Sequence, residues 1–375
     1  GADEYGLKGN GMKKSQGLSN FQITAVVTES VIGLITLSIP RIAADTAGID
    51  GVFATFSAGI LSAAMAGIIV LLCRRFPNQT VIEFSQEILG KFLGRLYGAA
   101  FAAYCLLVSA VIIRGFADAL KVLLLPKTPL EFVMITMLLL CIYCVVGGIS
   151  TIAKICEIFL LPVIGVIGLI ILFNVPDVEM FRFRAVFSNG LMPILQGISS
   201  IAIAYLGYEI LFFLSPVMKN KNKIVSYGIA GMVVPIIIYT SLVFVAIGID
   251  GALATSDLIY PTVQLARRIA LLGSFIEKFD IFFIIFWILA VFTSAITFLY
   301  MASISVTRLA GLRNYKPFIF MLVPFIYIIA ILPQNIVQIS MLTQSADYAG
   351  ILMVSSSVPM LLISLIRKKG GIHHG

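Results

Sequence analysis

Charge is what this sequence has least of. Only 12% of its 375 residues are Asp, Glu, Lys or Arg, against about 25% in soluble domains. That shortage excludes an ordinary soluble enzyme. Histidine is nearly absent as well: the only two, His373 and His374, sit in the tail Gly370–Gly375. No internal imidazole is therefore available for general acid–base work, and no GxSxG, HExxH or Walker A pattern occurs. We expect no enzymatic activity, no cofactor and no metal. The five cysteines (Cys73, Cys105, Cys141, Cys144, Cys156) lie in or beside apolar runs, which argues against a disulfide framework. The Cys141–Cys144 CxxC has no second pair or histidine to complete a metal set and reads as inert thiols. The net charge of +8 comes from short basic runs between apolar segments, without the aromatic-interleaved basic patch of a nucleic-acid binder.

What is present is hydrophobic length. Sixty per cent of residues are apolar and the mean hydropathy is +1.06. A helix needs about 20 apolar residues to cross hydrocarbon. On that basis ten spans are expected near 20–40, 51–73, 95–125, 129–148, 150–174, 190–216, 224–248, 277–307, 317–333 and 347–366. Amphipathic stretches at 80–94 and 260–272 read as surface helices. Residues 1–11 read as a fusion scar before a native start at Met12, 12–369 as one membrane domain, and 370–375 as a tail; no cleavable signal peptide is expected. With the N-terminus inside, sixteen Lys and Arg fall on inner segments and eight on outer ones, with Arg114 and Lys154 within spans. That bias places both termini in the cytoplasm.

Two of the spans are interrupted. The first breaks around Ile32-Gly33-Leu34-Ile35-Thr36 and the sixth around Tyr205-Leu206-Gly207-Tyr208-Glu209. Backbone groups freed inside a bilayer are tolerated only where protein encloses a cavity. Paired breaks at corresponding places of two halves point to a midplane solute site. The expected fold is thus all-α and polytopic: ten transmembrane helices, a 5+5 inverted repeat (about 20–174 and 190–366), with helices 1 and 6 discontinuous. Helix N-termini at a break attract a carboxylate and C-termini an ammonium, so opposed breaks suit a zwitterion such as an amino acid. Two glycine-kinked helices packed without a ligand are the structural alternative.

The candidate ligand-binding set follows: Gly33, Leu34, Ile35 and Thr36 at the first break, and Tyr205, Leu206, Gly207 and Glu209 at the second. Tyr104 and Val108 join them from mid-span three, and Thr293, Ser294 and Thr297 from span eight. Glu209 either braces the unwound turn or touches ligand. The span-eight hydroxyls either bond the i−4 carbonyl or face the cavity. Lys154 and Glu157 share a helical face and either neutralise each other or set an ammonium beside the first break, where a coupling sodium ion would sit. Glu29 either carries a proton or faces the cytoplasmic vestibule. Lys154, Glu157 and Glu29 are thus candidates for a coupling-ion substitute or proton site. Arg114 and Asp118, spaced i, i+4, read as an intrahelical network.

Several stretches together resemble the B subunits of bacterial spore germinant receptors, within the amino acid–polyamine–organocation superfamily. They are Ile32-Gly33 through Ile39-Pro40-Arg41, Arg75-Phe76-Pro77 with Ile88-Leu89-Gly90-Lys91-Phe92-Leu93-Gly94, and Leu124-Leu125-Pro126-Lys127-Thr128-Pro129. Asn189-Gly190-Leu191-Met192-Pro193-Ile194 leads into Leu206-Gly207-Tyr208-Glu209-Ile210, and Phe275-Ile276-Glu277-Lys278-Phe279-Asp280 precedes Trp287. The resemblance runs from Leu18 to Lys369. It implies the five-plus-five fold, residence in the spore inner membrane with A and C subunits, and nutrient sensing that triggers germination. It also implies a pocket lined by Gly33, Val108, Leu206, Gly207 and Thr293. Where many superfamily members carry GxG at the first break, Ile35 here replaces the second glycine and narrows the allowed backbone. The expected function is a subunit that senses an amino-acid-like ligand and signals to its partners in the bilayer. A proton-coupled amino-acid permease is the alternative.

Overall fold

The computed structural model describes residues 17–188, 190–219, 224–271 and 278–370. The expected scar, the histidine tail, and parts of the 189–194 and 275–280 stretches lie outside the described residues. The chain is a helical membrane protein. Its helices are α1 (Asn20–Val31), α2 (Ile39–Ala47), α3 (Gly51–Arg75), α4 (Val81–Leu89), α5 (Lys91–Leu123), α6 (Leu130–Val146), α7 (Ile149–Asn174) and α8 (Met192–Ile201). The second half holds α9 (Leu211–Leu214), α10 (Ile224–Asp250), α11 (Ala252–Asp257), α12 (Pro261–Leu271), α13 (Phe279–Leu309), α14 (Lys316–Ile331), α15 (Ile336–Ser355) and α16 (Ser357–Ile366). Among the described residues six helices are long and apolar enough to cross a membrane, or seven if the bent pair 192–205 and 208–217 is one span. Two of the ten expected spans, α6 and α14, are shorter apolar helices.

Both expected breaks are physical interruptions. α1 starts with a capping box, in which Ser19 Oγ accepts from Gln22 N while the Gln22 side chain accepts from Ser19 N. It stops at Val31, and one 3₁₀ turn over Leu34–Leu37 separates it from α2, which opens with Pro40 in its first turn. Proline is tolerated there because its missing N–H has no intrahelical partner to lose. In the sixth segment α8 tightens into a 3₁₀ turn at Ala202–Tyr205, then Leu206 is extended and Gly207 takes φ +129°. Only glycine adopts that backbone without strain, and the helix resumes at Tyr208 after a 54° bend.

Burial sorts the helices into a centre and a periphery. From Ala25 to Ile32 every residue of α1 and its cap is buried, and so is all of α13 from Thr293 to Ser305. A helix apolar and buried all round belongs to the interior. α1 packs on α7, α10 and α13, while α3 runs along α10 and α5 along α13. α6, α14 and α15 instead leave Phe132, Leu139, Phe320 and Leu352 exposed, as lipid-facing helices do. The expected surface segment at 80–94 is α4 with the first turn of α5, bent at Gly90 (φ +94°). α12 occupies the second expected surface segment. Beside α1, the chain at Leu18 pairs in parallel with Met218, through Leu18 N to Val217 O at 2.9 Å and Lys219 N to Leu18 O at 3.3 Å. The starts of α1 and the end of the sixth segment are thereby tied together.

Candidate functional site

The two breaks touch. Gly207 lies against the backbone of Ser30 and Val31 so closely that a Cβ would overlap the Ser30 carbonyl oxygen. At Gly33, Ser294 Oγ fills the space a side chain would need. Glycine is therefore required at both positions by close approach, and at Gly207 by its positive φ as well.

Buried polar side chains hold this junction. Glu209 is fully buried; Oε2 accepts from Gly207 N at 2.7 Å and Oε1 accepts from Tyr104 OH. The carboxylate thus spans the unwound turn and pins it to α5. Where α1 ends, the carbonyls of residues 29–32 have lost their intrahelical donors. Three hydroxyls reach them instead. Ser294 Oγ donates to Glu29 O at 3.0 Å and lies 3.4 Å from Ser30 O. Tyr239 OH donates to Val31 O at 2.8 Å, and Thr36 Oγ1 to Ile32 O at 2.5 Å. The chain thus satisfies most of its own freed backbone, as an apolar interior requires.

A cavity of about 110 Å³ sits at the junction, large enough for a few waters or a small solute. Of the expected ligand-binding set, Gly33, Leu34, Ile35, Tyr104, Val108, Leu206 and Ser294 line it. Six others lie off the cavity, each for a bonding reason. Thr36 caps Ile32, and Tyr205 OH reaches Thr55 O on α3 at 3.1 Å. Gly207 is covered by the first break, and Glu209 is engaged as above. Thr293 donates within reach of Glu29 Oε2 and Ala290 O, both at 2.8 Å, and Thr297 bonds its own i−4 carbonyl, Thr293 O, at 2.8 Å.

The charged candidates separate too. Glu29 is buried between α1 and α13, with Oε2 on Thr293 and Oε1 without a partner. Lys154 does not stand beside the first break: it is exposed on the face of α7 that also exposes Ile158 and Leu161. Nor does it pair with Glu157 among the described residues; Glu157 Oε2 accepts from Gln22 Nε2 at 2.9 Å, tying α7 to α1. Arg114 holds Asp118 at 2.9 Å as expected, but also donates to Ala330 O and Pro333 O at the end of α14. Among the lining residues outside the expected set, one is charged. Asp347 of α15, with Thr343 and Ala346, lines the cavity beside the breaks' residues. The signal was an acidic residue inside a span, hidden because the tenth span was expected to begin at 347 whereas α15 begins at Ile336.

Comparison with known proteins bears on this geometry. The family model described as "Spore germination protein" matches residues 17–339. The chain belongs to the spore germination protein family. Among its relatives, spore germination protein A2 of Bacillus subtilis (strain 168) is 27% identical over 354 residues, 94% of this chain and 96% of that one. Spore germination protein YndE of the same organism is 28% identical, covering 94% of this chain and 98% of that protein. Spore germination protein GerLB of Bacillus cereus is 22% identical, covering 93% and 95%. In three dimensions the chain is similar to the crystal structure of MhsT in complex with L-phenylalanine, with a TM-score of 0.68 and 15% identity, covering 94% of this chain and 90% of that one. The likeness shows that the two chains share a fold.

Proposed function

We propose that this chain is the nutrient-sensing B-type subunit of a spore germinant receptor. It binds a small zwitterion, an amino acid or close analogue, where the two breaks meet, and signals to A and C subunits in the spore inner membrane. The observation that carries this reading is the 110 Å³ cavity at the junction of Gly33 and Leu206, in a chain related over 94% of its length to a germination protein. MhsT, whose fold is shared, was crystallised with an amino acid. Ten spans follow if α1 with α2, α8 with α9, and α15 with α16 each count once and α6 and α14 cross. The halves then form a 5+5 inverted repeat with both termini in the spore core. Ligand binding acts as a switch only if it favours one of two arrangements of the breaks, and the Gly207–Ser30 contact is the place where such a difference is felt. A thermal-shift screen of the twenty amino acids on the purified chain tests the reading. A ligand at a hundredfold excess over its Kd stabilises by about 2.7 kcal/mol; no shift with any amino acid, in the chain or in its receptor complex, overturns it.

A second reading, a proton-coupled permease, is favoured by one feature: the buried Glu29 carboxyl with its unpaired Oε1. Sustained uptake of labelled amino acid into proteoliposomes, abolished by Glu29→Gln, supports the permease. Binding without uptake supports the sensor.

A further inference from the structure

Carbonyls freed at a helix C-terminus attract an ammonium, yet at the first break three of the four are engaged. Tyr239 and Thr36 donate to Val31 O and Ile32 O, the single proton of Ser294 serves Glu29 O, and Ser30 O lies against Gly207. At the second break Ile203 O accepts from Leu206 N at 3.0 Å. Glu209, the nearest acidic group at that break, has both oxygens engaged and does not face the cavity. Glu29 is likewise outside the lining. One charged side chain remains. Asp347 is the only Asp, Glu, Lys or Arg among the described residues that line the cavity, it is half-buried, and it forms no ion pair there. An unpaired carboxylate in a small, largely apolar chamber attracts a cation far more strongly than it would in water. No lining cation is at hand to answer it.

We propose that Asp347 is the specificity-determining counter-charge of this cavity, which takes a small molecule carrying an ammonium group and holds that group on the Asp347 carboxylate. The inference rests on the reading that the cavity binds the nutrient. The ligand then lies across the chamber, with its ammonium on α15 and the rest of the molecule toward the uncapped turn at Gly33. Size adds a limit: 110 Å³ is well below the roughly 300–1,000 Å³ of ordinary ligand sites, so the partner is a small amino acid or amine. α15 also contacts α5, which carries Tyr104. An ammonium on Asp347 therefore draws together α15 and the helix that braces Glu209.

The test uses the full chain and pairs each amino acid with the α-hydroxy acid of the same carbon skeleton, which keeps the carboxylate and replaces the ammonium by a hydroxyl. On the wild-type protein, calorimetric titration is expected to give at least tenfold weaker binding for the hydroxy acid. Asp347→Asn is expected to weaken the amino acid by about 10- to 100-fold, the range of a lost charge-assisted hydrogen bond, and to leave the hydroxy acid unchanged. Asp347→Glu should retain binding within a few-fold. Asp347→Ser replaces the asparagine variant if that protein does not fold, and the wild-type pair comparison needs no variant. Equal binding of an amino acid and its hydroxy acid overturns the proposal while leaving the nutrient site standing. So does a folded Asp347→Asn protein with unchanged amino-acid affinity. Failure of the wild-type chain to bind any amino acid or hydroxy acid overturns the proposal and the reading beneath it together.

Discussion

Tyr104→Phe is the sharpest perturbation of the junction, because it removes one oxygen and changes nothing else in shape. Tyr104 is 2% exposed and Glu209 fully buried. The tyrosine hydroxyl donates to Glu209 Oε1 while Gly207 N donates to Oε2 at 2.7 Å. Without the hydroxyl, Oε1 is left buried and unpaired, which costs about 1–3 kcal/mol. Glu209→Gln behaves differently. Its amide oxygen keeps the bond from Gly207 N and its NH₂ donates to the tyrosine oxygen, but the tyrosine O–H loses its acceptor, so the expected loss is about 1–3 kcal/mol, below that of removing the side chain. Glu209→Ala removes both bonds, opens a cavity and frees the φ +129° turn, which is expected to cost more than either. Equilibrium denaturation of the purified protein in mild detergent measures all three. A double-mutant cycle between Tyr104→Phe and Glu209→Ala then gives the coupling, expected at about 1–3 kcal/mol for residues in direct contact. If Tyr104→Phe is as stable as wild type, or Glu209→Gln is as damaging as Glu209→Ala, the carboxylate is not the brace described here.

Other positions give equally specific outcomes. Gly207→Ala forces a side chain onto the Ser30 carbonyl at a positive φ and is expected to cost at least about 1–3 kcal/mol, visible as a lowered Tm and loss of nutrient response. Gly33→Ala meets Ser294 Oγ and lies 2.9 Å from its Cβ, costing about 1–3 kcal/mol by overpacking; adding Ser294→Gly is expected to recover part of the loss, and a purely additive pair would refute the contact. Lys154→Ala removes an exposed side chain and is expected to change stability by less than about 0.5 kcal/mol with ligand affinity unaltered; a tenfold drop in affinity would return the lysine to the site.

The breaks were legible because glycine and polar residues interrupt runs that are otherwise apolar, and hydrocarbon tolerates that only around a cavity. Glu209 beside Gly207 was legible as either brace or ligand contact, and geometry chose the brace through the Gly207 N–H. Lys154 was misjudged for a physical reason. α7 is apolar on every side, so sequence pattern does not say which face meets protein and which meets lipid. Ala153, Cys156 and Leu160 take the buried face, leaving Lys154 outside. The hydroxyls of span eight were expected either to bond i−4 or to face the cavity, and they divide. Thr297 bonds back, Thr293 meets Glu29, and Ser294, 3.2 Å from its own i−4 carbonyl, also reaches α1 and lines the chamber. Asp347 was missed because the tenth span was expected to begin only at 347, which left 334–346 between spans. Asn335 instead caps a helix there, accepting from Gln338 N at 2.9 Å, and that early start carries Asp347 into the span.

The central claim is that the small chamber between the breaks is where the nutrient binds. Leu206 lines it from the second break, next to Gly207, so Leu206→Trp fills the space from that side. The decisive measurement is the thermal stabilisation of wild-type and Leu206→Trp proteins by the same amino acid, at the same excess. The account predicts a shift corresponding to about 2.7 kcal/mol at a hundredfold excess for wild type, and none for the folded variant. An undiminished shift in Leu206→Trp would place the ligand elsewhere and contradict the account.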